Sequence, residues 1–93
     1  MNELALPAHV DVDAAEQIKQ AALAASKENA GLKLMATDVA SLSAPALQTI
    51  IAAKRCLDAA EQQLCLVEPS EPFLEAFEGL GFSDELMKVE IEK

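Results

Sequence analysis

The feature that most constrains this chain is its alternation of short apolar runs, three to seven residues long, with longer stretches of helical period. Leu4, Leu6, Ala8 and Val10 alternate with Glu3, Ala5, Pro7 and His9, which predicts a half-buried strand. Pro7 has no N–H to give to a ladder, so this strand must lie at an edge or break there. Asp13-Ala-Ala-Glu16 has the form of a capped helix start. Ile18, Ala21, Ala22 and Ala25 then share one helical face, with Leu23 beside it. Asn29-Ala-Gly31 closes that helix, glycine being the residue that tolerates a left-handed terminal turn. Residues 32–37 read as a second strand. Ser43 caps a second helix with Pro45 in its first turn, where the missing N–H costs nothing. Leu47, Ile50, Ile51 and Leu57 carry the helix to about Gln62. Leu64-Cys-Leu-Val67 is a buried strand, and Ser70 opens a third helix with the stripe Phe73, Leu74, Phe77 and Leu80, ended by Gly79 and Gly81. Met87, Val89 and Ile91 alternate with Lys88, Glu90 and Glu92, which favours a last strand over a short helix after Ser83.

Strand and helix in strict turn imply an α/β chain with a largely parallel sheet and right-handed crossovers. Ninety-three residues, with no repeat and no linker, make this a single domain over 1–93. An apolar content of 52% against 25% charged excludes a disordered tail.

Composition also narrows the function. Sixteen acids against seven bases leave a net charge of −9, which repels nucleic-acid phosphates and anionic bilayers. The only aromatics are three Phe, too few for a base-stacking platform. The charge is uneven: residues 1–30 carry −3, residues 31–62 carry 0 and residues 63–93 carry −6. A neutral middle between acidic ends is the expected place for a protein partner. The start, Met-Asn-Glu-Leu, lacks the basic region of a signal peptide. The longest uncharged run, Val39 to Ala53, is 15 residues, short of the roughly 20 that a bilayer helix needs. A cytoplasmic chain follows, with Cys56 and Cys65 as reduced, mostly buried thiols.

Catalytic patterns are missing. The three glycines sit at helix ends, so no loop cradles a phosphate. His9 has no Cys or Ser near it in sequence and reads as a structural or surface residue. Asp11 and Asp13 are too few for a metal site, and Glu68, Glu71, Glu75 and Glu78 form a solvated face. Neither an enzyme nor a cofactor is expected.

One stretch says more. A short strand, Thr37-Asp-Val-Ala-Ser-Leu-Ser-Ala-Pro-Ala-Leu-Gln48, a long helix and Leu64-Cys-Leu-Val-Glu-Pro-Ser70 together resemble a STAS domain, the fold of sulfate transporters and anti-sigma factor antagonists. Leu6-Pro-Ala-His-Val-Asp-Val-Asp-Ala-Ala15 is similar to the family's opening, and Gly79-Leu-Gly-Phe82 to its last helix end. The resemblance covers roughly residues 4–86. It implies about four strands in a mostly parallel, mixed sheet, with helices mainly on one face. Within the family the chain looks most like short STAS proteins that accompany bacterial chemotaxis genes, which share the Leu-Pro-Ala opening and a Gln at the place of Gln48.

STAS antagonists of the better-known kind carry Asp-Ser-Ser/Ala-Gly, whose first Ser is phosphorylated by a partner kinase. Aligned by spacing, Ser43 takes the Asp position and Ala44 the phosphoacceptor position, while Met35 replaces an acid at the strand end. A phosphate at a helix N-terminus adds nearly two charges where free amides tolerate them. Ala44 has no hydroxyl, so that switch is absent here. The resemblance thus implies a non-enzymatic docking module for a signalling kinase, of the chemotaxis histidine-kinase type, contacting it through Ser41, Ser43, Ala44, Pro45 and Gln48. Two alternatives share the fold: an anti-sigma factor antagonist phosphorylated at Ser43 or Ser41, and a small subunit of a membrane lipid-transport ATPase.

Overall fold

The computed structural model of the chain describes residues 2–79, 81 and 90–92. Its elements are β1 (Asn2–Ala5), β2 (His9–Val10), α1 (Val12–Lys27), β3 (Leu32–Met35), β4 (Ser41–Leu42), α2 (Ala44–Ala59), β5 (Leu64–Val67), α3 (Glu71–Gly79) and β6 (Glu90–Glu92). The main sheet runs β1-β3-β5-β6, and β2 and β4 form a separate two-stranded ribbon. Every described strand pair is parallel, in keeping with the mostly parallel sheet expected, and no antiparallel pair occurs among the described strands. Strand order advances one way across the sheet, and right-handed crossovers then bring the connecting helices to the same face.

Register explains the core. Leu4, Leu34, Leu66 and Ile91 form one row across the four strands, and Leu32 pairs with Leu64 in the next row. Leu32, Leu34 and Leu66 are fully buried, as are Ile18 of α1 and Leu47 and Leu57 of α2. Each such side chain contributes about 1.5–3 kcal/mol of transfer free energy. Helices α1 and α2 pack against one another, and Ala22, Ala25, Ala46 and Ala53 are buried among the core residues. Phe73 and Phe77 bury one face of α3, with ring centroids 5.3 Å apart. Cys56 is half-buried, Cys65 is buried and neither forms a disulfide.

Several expected boundaries move, each for a local reason. The first strand breaks at Pro7: Leu6 N–H gives a last bond to Met35 C=O at 2.9 Å, and the chain resumes as β2 in the ribbon. Asp11, not Asp13, caps α1. Its backbone is extended (φ −105°, ψ −161°), and its Oδ1 accepts from Asp13 N–H at 3.1 Å and Ala14 N–H at 3.2 Å. Asp13 falls in the first helical turn, where the helix dipole favours an acid. At the other end of α1, Asn29 (φ 54°) takes the left-handed position expected of Gly31. Ser43 caps α2 as expected, through its Oγ and Ala46 N–H at 3.2 Å, but α2 stops at Ala59, three residues before Gln62. Ile91 lies in a strand, as the alternation favours. Leu80, Phe82, Met87, Val89 and the alternative helix after Ser83 lie outside the described residues.

Candidate protein interface

The sequence-predicted site begins in the loop between β3 and α2, and that loop is pinned from several sides. Ala36 N–H bonds Val67 C=O at 3.1 Å, and Ser70 N–H bonds Ala36 C=O at 3.2 Å. Ser70 Oγ donates to Val39 C=O at 2.6 Å and accepts from Phe73 N–H at 3.3 Å. One hydroxyl therefore ties the start of α3 to the loop before the site. Glu68 precedes it with φ 46°, a left-handed conformation that costs a non-glycine residue about 1–2 kcal/mol. Its carboxylate accepts from Thr37 Oγ1 at 3.3 Å. The Glu-Pro-Ser turn after β5 thus holds the loop that leads to α2.

From Ala40 onward the ribbon takes over. Ala40 and Ser41 N–H both reach Ala8 C=O, at 2.6 and 3.0 Å, and Ser43 N–H reaches Val10 C=O at 3.0 Å. In that register His9 faces Ser41 and Val10 faces Leu42. Asp11 and Ser43, the caps of α1 and α2, follow directly on the two strands, so both helices start side by side.

The five predicted site residues fall together at this end. Ser41, Ala44, Pro45 and Gln48 are exposed, and Ser43 is half-buried. Beneath them Ala46 and Leu47 are fully buried, so the display rests on the core. No charged side chain occurs between Val39 and Ala53, while Asp38 is exposed directly before that run and Asp11 and Asp13 are exposed at the start of α1. Ser43 Oγ is engaged by Ala46 N–H. Ser41 Oγ is instead at the surface, 2.8 Å from His9 Nδ1.

Two residues outside the sequence-predicted site belong to this end. His9 meets a serine 32 positions away, a partner that only the ribbon pairing supplies. Val12, at the first position of α1, is 67% exposed, the most exposed large apolar side chain among the described residues. Its signal in the sequence was hidden because Val10 and Val12 alternate as a strand would. Among the described residues no group of three or more His, Cys, Asp or Glu side chains gathers as a metal site would. No described helix is long and apolar enough to cross a membrane.

The architecture matches a solved fold, the one that the STAS resemblance implies. A crystal structure from Thermotoga maritima, of a protein provisionally named as an anti-sigma factor antagonist, superposes with a TM-score of 0.72 at 17% identity, over 99% of this chain and 74% of that one. At that identity the likeness is one of fold. No family model and no curated protein matches the sequence significantly.

Proposed function

We propose that this protein is a non-enzymatic, cytoplasmic docking module that presents the start of α2 to a signalling kinase, of the histidine-kinase type found with chemotaxis genes. The observation that carries the reading is the uncharged, exposed surface of Ala44, Pro45 and Gln48, anchored by buried Ala46 and Leu47. Ser41, Ser43 and Val12 extend it. Ala44 occupies the place where STAS antagonists are phosphorylated, so docking here is constitutive at that position. Calorimetric titration against the kinase encoded beside it is the test. Ala44→Glu places a charge in the contact and is expected to weaken binding by at least about tenfold, with circular dichroism unchanged. Full affinity in that variant would overturn the reading.

A second reading is supported by one contact. Ser41 Oγ is exposed and paired with His9 Nδ1, whereas Ser43 Oγ is committed to its cap. If the module is an anti-sigma factor antagonist under serine-kinase control, Ser41 is the hydroxyl that geometry favours. Incubation with kinase and ATP would then add roughly 80 daltons, one phosphate, and Ser41→Ala would abolish the gain while Ser43→Ala would not. Co-purification with a membrane ATPase would instead favour the lipid-transport role.

A further inference from the structure

Away from the docking end, α1 and α2 leave a cleft of about 240 Å³ between their outer faces. Buried Ala22 and Ala53 line it together with exposed Leu23 and Ala52 and half-buried Cys56. Such short side chains let a third helix approach closely. The one charged residue that lines it is Lys19, in a chain with more than twice as many acids as bases. Residues 12–27 and 44–59, the two helices, hold three acids and four bases, a net +1; the rest of the chain holds thirteen and three, a net −10. Lys54 is paired with Asp58 at 2.6 Å, but Lys19, Lys27 and Arg55 form no ion pair among the described residues. Lys27 follows Leu23 by one turn, and Arg55 follows Ala52 by three residues, so both flank the cleft.

We propose that this cleft is a second docking surface, separate from the start of α2, and that its occupant is an amphipathic helix of a partner protein with carboxylates beside its apolar stripe. The charge balance selects that occupant. A second copy meeting the same face two-fold would bring two faces of the same positive sign together. An anionic bilayer is a broad surface that would also meet the acids around the two helices, where a single helix meets only the cleft, and the cleft's floor is alanine rather than the large apolar side chains that insert into lipid. An acidic helix satisfies the unpaired cations and covers Leu23 and Ala52 at once.

The probe is a synthetic helical peptide with a leucine stripe flanked by glutamates, set against the same peptide with lysines in place of the glutamates. Amide shift mapping on the whole protein should place the acidic peptide at Ala22, Leu23, Ala52 and Cys56. Lys19→Glu combined with Arg55→Glu should weaken it by about tenfold or more, and so should Ala52→Glu, while the lysine peptide stays unbound. Ala44→Glu should leave this binding intact, which separates the outcome from that of the docking end. Equal binding of both peptides, shifts confined to Ser41–Gln48, a dimer in sedimentation that Leu23→Glu dissolves, or capture by anionic vesicles through Leu23 would each overturn the proposal.

Discussion

The starts of α1 and α2 are built alike but differ in charge. Each opens on an extended cap residue whose side-chain oxygen accepts from helix amides, and the two lie adjacent on the ribbon. At α1 the cap is a carboxylate and Asp13 adds a second acid in the first turn. At α2 the cap is a hydroxyl, the first turn contains Pro45 and no acid is present. An acid there would add about 0.3–1 kcal/mol through the helix dipole. α2 forgoes that stabilisation. What remains is an uncharged exposed surface, so the comparison separates an end whose acids stabilise its helix from an uncharged end, the one proposed for contact.

The largest effects should test whether the two helices are anchored equally. Ile18→Ala and Leu47→Ala each remove a fully buried side chain and are expected to cost about 2–5 kcal/mol in denaturant unfolding. A much smaller loss at Leu47 would mean that the α2 start lacks the rigid support ascribed to it. Cap removal comes next. Asp11→Ala and Ser43→Ala should each lower stability by about 1 kcal/mol, with Asp11 the costlier because its bonds are charge-assisted and reach two amides. Thermal melts in low and high salt sharpen this, since only the Asp11 effect should shrink as salt rises. Smallest is a charge exchange between the ends. Asp13→Asn should cost a few tenths of a kcal/mol, and Ala44→Asp should return a similar amount while its partner binding falls. A destabilised Ala44→Asp would break the argument that charge is withheld from α2 for the sake of contact.

Much of the fold is legible because its signals are local. Ser43 and Pro45 announce the start of α2, and Leu64–Val67 announces β5, through residue types whose preferences hold in any context. The cap of α1 is less legible: Asp11-Val-Asp13 offers two candidates, and Asp13-Ala-Ala-Glu16 has the better pattern. Burial of Val10 in the ribbon leaves Asp11 as the next extended residue, and that decides between them. The ribbon itself is illegible. Two strands of two residues each have no period to detect, and their pairing joins positions 32 apart. That is why His9 and Val12 are not legible at this end: one depends on Ser41 across the ribbon, the other on where α1 begins.

The β2–β4 ribbon has a consequence for motion. Its backbone bonds from Ala40, Ser41 and Ser43 to Ala8 and Val10, with the His9–Ser41 side-chain contact, link the segments that launch α1 and α2. Freed from it, each helix start would swing on its own loop. Held by it, the two starts keep one register. The amides of Ser41 and Ser43 should therefore lose their protection against solvent exchange together, in one opening event.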